Sequence, residues 1–294
     1  MPLVNPLGML QAARRGRYCI GAFNLVDYLT AEAIVQAAEA KRSPVILQTS
    51  SAVVKRFGVR HLVQMARLVA EQSPVPVALH LDHGTDPAVL SEAIRSGYSS
   101  VMYDGSKLPL AENAARTRRI VAEAHAHGVS VEGEIGVVAG VEDDIVFHQD
   151  KAIYTTPVDA LEFLRLAEVD FLAAAIGTAH GFYKVQPRLD IETLRQIAAA
   201  TECPMVVHGG TGLPMDVVRQ LIAAGAAKMN VSTQIKQTYI DALHQYIEVH
   251  RTEYNPLKVL DHARQELVKM VGEYLEVFGS AGRAAPGAAQ GATA

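Results

Sequence analysis

Residues 77–86 read VALHLDHGTD, an apolar run that closes on His80, Asp82 and His83 before a glycine. Packing alone rarely ends a buried segment with two imidazoles and a carboxylate. Neutral imidazoles suit a zinc ion, and a neighbouring carboxylate can take or return a proton. Two further apolar runs lead to histidine: FLAAAIGTAH reaches His180, and PMVVH ends at His208. His83, His180 and His208 are therefore candidate ligands of one zinc ion, which in a catalytic site keeps a position open for substrate. Glu134, in VSVEGEIG, is a candidate fourth or exchangeable ligand. For any single histidine the competing reading is a hydrogen-bonded structural residue, and it is the number of them at equivalent positions that favours a metal. His80 shares a strand face with Asp82 and reads as a residue that orients a carboxylate or a ligand. His125, His127, His244, His250 and His262 fall in helical segments with no matching partner pattern.

A second set of residues points to an anion. GTAHGFYK (177–184) and VVHGGTG (206–212) are glycine-rich connections, and KMNVST (228–233) adds small hydroxyl and amide side chains. Glycines let backbone N–H groups approach a phosphate, and helix N-termini favour negative charge. Gly181, Lys184, Gly209, Gly210, Ser232 and Thr233 are the candidate phosphate contacts. Either glycine loop by itself is weak, because glycine turns are common.

These residues need elements to position them. Eight short apolar runs alternate with helical periodicity: 19–25, 44–50, 76–83, 100–105, 129–136, 171–177, 204–210 and 227–233. Helix-like stretches between them include 30–42, 86–97 and 215–225, the last two with aspartate near the first turn or glycine at the end. Near-continuous apolar strands separated by helices imply parallel pairing buried on both faces. The pattern predicts an α/β chain, a (β/α)8 TIM barrel, with an extra helix before the first strand and two after the last (about 234–251 and 256–277). A doubly wound sheet is the alternative, weakened by the absence of a GxGxxG after the first strand. Residues 1–280 are expected to form one unit and 281–294, AGRAAPGAAQGATA, a disordered tail.

A barrel places its chemistry at the C-terminal strand ends, where the polar residues collect. Asn24, Ser50, Asp82, His83, Asp104, Glu132, Glu134, His208, Asn230 and Ser232 all fall there, and Asn24 and Ser50 join the candidate substrate contacts. One objection stands. Asp82 and His83 are adjacent, so an ideal strand sends them to opposite faces. Both reach the mouth only if the strand breaks near residue 82, with Gly84 as the expected cause.

Composition excludes several classes. The net charge of −4 is spread along the chain, with no basic stripe for nucleic acid and no polybasic helix for a membrane surface. No apolar run approaches the ~20 residues of a spanning helix, and the first residues lack a secretion-signal layout. With two cysteines in separate apolar segments, a cytoplasmic location without disulfides is expected.

Taken together, GAFN (21–24), LHLDHG (79–84), SVMYDGS (100–106), VEGEIG (131–136), GVEDD (140–144), GTAHGFY (177–183), VVHGGTG (206–212), KMNVST (228–233) and FGSAGRA (278–284) resemble the class II, zinc-dependent ketose-bisphosphate aldolases. GVEDD and the short chain resemble the tagatose-type branch most. The resemblance implies reversible cleavage of a ketose 1-phosphate or 1,6-bisphosphate to dihydroxyacetone phosphate and an aldehyde. It makes His83, His180 and His208 zinc ligands, with Glu134 binding zinc in some branches. Asp82 then handles the proton of the C4 hydroxyl, and Glu142 exchanges the proton at C3 from a mobile loop hinged at Gly140. Asn230 contacts the reacting carbons. Without the resemblance, EDD would read as a solvated acidic loop. The resemblance also implies a monovalent cation (Na+ or K+) near the phosphate loops and a homodimer or homotetramer, consistent with the apolar stripes of the C-terminal helices.

The chain departs from the family pattern at EYNPLKVL (253–260), where Leu257 replaces an arginine expected to clamp the distal phosphate. Lys258 or Arg251 could replace it, or the substrate's distal end carries no phosphate. Ser232 also stands where some relatives have an acid. Three other readings compete: a Schiff-base aldolase, which needs a lysine in the mouth and has only Lys184 and Lys228 to offer; a zinc hydrolase, which has no use for two phosphate loops; and a non-catalytic accessory subunit, which should have lost ligands that are all present here.

Overall fold

The computed structural model describes residues 2–142, 145–147, 154–183 and 187–284. In chain order the strands are β1 (Ile20–Asn24), β2 (Val45–Thr49), β3 (Val77–Gly84), β4 (Ser100–Tyr103), β5 (Ser130–Ile135), β6 (Ala139–Glu142), β7 (Ile145–Phe147), β8 (Phe171–Ala174), β9 (Ala179–His180), β10 (Met205–Val207) and β11 (Ala226–Val231). Eight of them close a barrel in the order β1-β2-β3-β4-β5-β8-β10-β11, and every ladder in it is parallel. The predicted TIM barrel is therefore the fold. Each predicted run holds one barrel strand. Two of them stop early: β8 ends at Ala174 and β10 at Val207. Gly177 and Gly209 beyond those ends have φ of 94° and 72°, a left-handed turn that extended backbone cannot absorb.

Strand parity sorts the side chains into two apolar sets. Val77, Leu79 and Leu81 face outward into the layer shared with the helices. Ile20, Ala22, Ile46, Ala78, Phe171, Ala173, Val206 and Ala227 fill the lower interior, which Leu10, Ala13 and Tyr18 close from below. Leu10 and Ala13 belong to the predicted extra N-terminal helix, Leu7–Gly16. Above that floor the lining turns polar. Gln48, His80, Ser100, Glu132 and Lys228 are fully buried, and Asn24, Asp82, Glu134, His208 and Asn230 continue it toward the C-terminal strand ends.

Two irregularities aim the key residues. The β3–β4 ladder shifts register between Leu81 and Gly84, and His83 has a φ of 48°. A left-handed residue interrupts the alternation, so Asp82 and His83 both face the mouth. The break expected near residue 82 thus lies at His83 itself. Gly84 is needed for space instead, since a Cβ there would meet the Met102 carbonyl oxygen at 2.8 Å. In β11, Met205 pairs with Ala226 but Val206 with Lys228, which leaves Ala227 as an extra residue. That bulge turns Ala227 and Lys228 successively inward.

A second sheet was not legible in the sequence. β6 and β7 form an antiparallel hairpin, and β9 adds in parallel with Gly140 opposite His180. A two-residue strand is too short to show periodicity, and the acidic stretch masked its partner. Gly140, expected as a hinge, lies inside that ladder, whereas Gly136 beyond β5 has the left-handed φ of 74°.

The two predicted C-terminal helices are Thr233–Val249 and Pro256–Val277. Asp86 and Gly97 cap the helix Pro87–Ser96 as expected. The predicted disordered tail is corrected for residues 281–284. Gly282 and Ala284 donate backbone hydrogen bonds to the carbonyls of Lys41 and Arg42, and the Arg283 guanidinium lies over the Tyr18 ring. Residues 285–294 lie outside the described residues. Both cysteines are free thiols, and among the described residues no helix is long and apolar enough to cross a membrane.

Phe171→Ala is expected to lower unfolding free energy by about 3–5 kcal/mol, because the rigid barrel floor cannot collapse into the cavity. The exposed control Val158→Ala should change it by less than about 0.5 kcal/mol in the same denaturant titration.

Candidate active site

His83 ends β3, His208 follows β10, and His180 sits in β9 of the small sheet. The fold gathers all three at the barrel mouth. Their ring centroids are 4.7 Å (His83–His208), 5.0 Å (His83–His180) and 5.9 Å (His180–His208) apart. One nitrogen from each lies within 4.8 Å of the others.

The outer hydrogen bonds determine which nitrogen faces the centre. His83 donates from Nδ1 to Asp104 Oδ2 at 2.9 Å, and His208 donates from Nε2 to Glu132 Oε1 at 2.8 Å. An ionised carboxylate can only accept, so each ring must be the donor there. His83 therefore turns Nε2 inward and His208 turns Nδ1 inward. His83, Asp104 and Glu134 also cluster closely, but the Asp104 contact occupies Nδ1 as a hydrogen bond, so the three-histidine set is the better centre. His208 Nδ1 and Glu134 Oε2 are both buried without a hydrogen bond and face each other at 3.4 Å. Two orphaned donor atoms that converge in this way fit ligands of a shared ion.

The electrostatics agree. Burial alone would push the His208 pKa down, yet Glu132 and Glu134 hold it up at about 9. His83 is likewise raised well above the usual imidazole range, with Asp82, Asp104 and Glu134 outweighing burial. Asp104 is held far below the ordinary carboxylate range, against its burial, by His83 and Ser106. Glu132 is lowered too, against burial, chiefly by Lys228 and His208. His80 behaves oppositely, pulled well below its usual value by burial and by Lys228. The pocket of acids thus calls for positive charge in its middle.

Asp82 is buried between two amides. Asn24 Nδ2 donates to its Oδ2 at 3.3 Å and Asn230 Nδ2 to its Oδ1 at 3.2 Å. Each amide is oriented from below. Gln48 donates to Asn24 Oδ1 at 2.9 Å and Lys228 to Asn230 Oδ1 at 2.7 Å.

The family model for class-II fructose-bisphosphate aldolase matches residues 4–283. The chain belongs to that family. It is 39% identical over 287 residues, covering 97% of this chain and 100% of the relative, to a probable fructose-bisphosphate aldolase of Bacillus subtilis (strain 168). It is 38% identical over 288 residues, with 97% and 100% covered, to the fructose-bisphosphate aldolase of Geobacillus stearothermophilus. Among solved structures, the YdjI aldolase from Escherichia coli K12 superposes with a TM-score of 0.85 at 28% identity, covering 96% of this chain and 100% of that one.

Other residues expected at this aldolase-family site differ in how the fold uses them. Ser232 follows β11 with a buried hydroxyl that makes no hydrogen bond, and Thr233 opens the long helix behind it. Gly181 has a φ of 91°. Gly209 lies so close to Ala179 that a Cβ would meet its carbonyl oxygen at 2.4 Å. Gly210 donates its N–H to the Asn230 carbonyl at 3.0 Å, so it serves backbone packing and is not an N–H donor to an anion. Ser50 caps the helix Ser51–Phe57 by accepting from Val53 N at 3.4 Å. Glu142 closes β6 opposite Ile145, and Lys184 lies outside the described residues.

From sequence, Asp104 and Glu132 fall at strand ends without a role, Lys228 is weighed only for a Schiff base, and Gln48 is not singled out. Strand parity could have found three of them: Glu132 lies two before Glu134, Gln48 two before Ser50, and Lys228 two before Asn230. Tyr183 was missed as well. Its hydroxyl accepts from Ala179 N at 3.0 Å and donates to the Gly209 carbonyl at 2.8 Å, which ties the two glycine loops together.

Two outcomes follow for metal uptake. A His208 pKa of about 9 means that the metal-free ring is protonated at neutral pH and loses a proton on ligation, and the upward shift of His83 acts in the same direction. Zinc affinity measured by chelator competition should therefore rise between pH 6 and 9, by on the order of tenfold per pH unit for each proton displaced. Asp104→Asn should weaken zinc binding by about 10–100-fold at fixed pH, because the His83 ring loses its charged anchor.

Proposed function

We propose that this chain is a zinc-dependent aldolase that cleaves a ketose 1-phosphate or 1,6-bisphosphate to dihydroxyacetone phosphate and an aldehyde such as glyceraldehyde 3-phosphate. The observation that carries the reading is the meeting of His83 Nε2, His180 and His208 Nδ1 beside an Asp82 carboxylate held by two amides. In this reading those three rings hold the ion, and Glu134 is an exchangeable fourth ligand. Bound there, zinc supplies Lewis-acid stabilisation of the negative charge that develops on the C2 oxygen.

The protein's own groups do the rest. Asp82 accepts the proton of the C4 hydroxyl, the C3–C4 electron pair moves toward C2, and the C4 fragment leaves as an aldehyde. The Asn24 and Asn230 N–H groups keep Asp82 fixed and pointed at that proton. Glu142 then returns a proton to C3, completing dihydroxyacetone phosphate. The unpartnered Ser232 hydroxyl, Thr233 at its helix N-terminus, Gly181 and Gly209 receive the phosphate near that carbonyl, with Lys184 completing the set. A monovalent cation (Na+ or K+) beside these loops belongs to the same reading and rests on family resemblance alone.

The Schiff-base route is disfavoured by Lys228. Its amine is fully buried and bonded to Glu132 and Asn230 at 2.8 and 2.7 Å, so it cannot meet a substrate carbonyl. The accessory-subunit reading is disfavoured by an intact set of rings and carboxylates.

The aldehyde half is a separate matter. Leu257 is 68% exposed, and Lys258 beside it pairs with Glu253 at 2.5 Å. Absence of the expected arginine favours a ketose with an unusual distal group, within a tagatose-type relative. Exposed Ile240, Ile247, Val249 and Tyr254 on the same C-terminal region support a homodimer or homotetramer, and the enzyme is expected in the cytoplasm.

A retro-aldol screen over ketose 1-phosphates and 1,6-bisphosphates, scored by dihydroxyacetone phosphate, tests both halves. Release should vanish with a chelator and return with zinc. Fructose 1,6-bisphosphate turned over as well as every other candidate would refute the unusual distal group. Asp82→Asn should reduce kcat by about 10²- to 10⁴-fold while zinc content is retained.

A further inference from the structure

A fully buried lysine is rare unless paired, and Lys228 lies at the centre of the barrel lining. Ammonium has donors and no acceptor. One of its hydrogen bonds goes to Glu132 Oε2 at 2.8 Å, the carboxylate whose other oxygen takes the His208 Nε2–H at 2.8 Å. Another goes to Asn230 Oδ1 at 2.7 Å, the amide whose Nδ2 donates to Asp82 Oδ1 at 3.2 Å. Two short chains of hydrogen bonds therefore begin at one nitrogen. One ends on a candidate metal ligand and the other on the candidate base.

We propose that Lys228 is a positioning residue that fixes both the His208 ring and the Asn230 amide, and so sets the metal ligand and Asp82 relative to each other. The inference rests on the metal-dependent aldolase reading above. Its physical basis is direction. An amide can present either end to a neighbour, but a pure donor below it must take the oxygen, which leaves the NH2 for the carboxylate above. Without the ammonium, Oδ1 of Asn230 would be a buried acceptor with no partner, and the side chain would swing to find one. Glu132 would likewise lose the charge that keeps it extended toward His208. Lys228 touches no substrate, so its effect belongs in kcat and not in KM.

Lys228→Met alone leaves Glu132 buried and unpaired, which threatens the fold, so the decisive comparison is E132Q with E132Q/K228M. In the second protein both charges are gone, and it differs from the first by the ammonium and its bonds to Asn230 and to residue 132. The double variant is expected to melt no lower than E132Q, in which the ammonium stays buried without its carboxylate, to show kcat about 100-fold lower and to keep KM within about threefold. Its crystal structure should show Asn230 Nδ2 moved out of hydrogen-bond reach of Asp82. Retention of that contact, or equal kcat in the two proteins, would overturn the proposal. Cobalt(II) provides a readout independent of turnover. Stripped E132Q/K228M reloaded with cobalt should show visible d–d bands altered from wild type, because the His208 ring loses its carboxylate partner and turns. Identical bands would overturn the arm through Glu132, whereas a wild-type protein that takes up no cobalt would refute the metal reading itself.

Discussion

Surplus negative charge inside the barrel is the constraint on which the site depends. Asp82, Asp104, Glu132 and Glu134 are gathered in a space that holds four imidazoles and one ammonium. Carboxylates out of water are unfavourable unless cations or donors answer them. Lys228 answers Glu132, and Ser106 with His83 answers Asp104. What remains faces the middle of the ring of histidines, where a divalent cation is the natural complement. The raised pKa values of His83 and His208 express the same demand, since protons take up the role when no metal does.

The barrel makes that arrangement possible by separating its jobs along the strand axis. The apolar floor around Phe171, sealed by the first helix, supplies stability and excludes water from below. In the fully buried layer, Gln48, Glu132 and Lys228 orient the groups above them. The uppermost layer holds Asp82 and the histidines at the barrel mouth. Rigid strands place Asp82, His83 and Glu134, whereas His180 comes from a small sheet that also carries Glu142. Because β6 and β9 are hydrogen-bonded, a candidate metal ligand and a candidate proton donor share one piece of backbone.

Backbone departures from regularity occur where the chemistry needs them. The left-handed His83 and the bulge at Ala227 each violate strand alternation by one residue. Each redirects a functional side chain that regular geometry would bury among the outer helices. Such local irregularity persists only where surrounding packing over-determines it, as the crowded contacts at Gly84 and Gly210 indicate.

Sequence alone determined the eight strands and the helices around them, and it singled out the three histidines and Asp82 that the fold then brings together, because period and residue type report burial and chemistry locally. It put Glu132 at a strand end and offered Lys228 only as a Schiff-base lysine, without revealing the use of either, since parity says which face and not which neighbour. Only the tertiary structure decided the rest. It set the tautomers of His83 and His208, the pairing of Lys228 with two partners, the strand break at His83 and the sheet that joins His180 to the loop of Glu142. Those features depend on distances between residues far apart in the chain, and a hydrogen bond's direction exists only once both of its ends have been brought together.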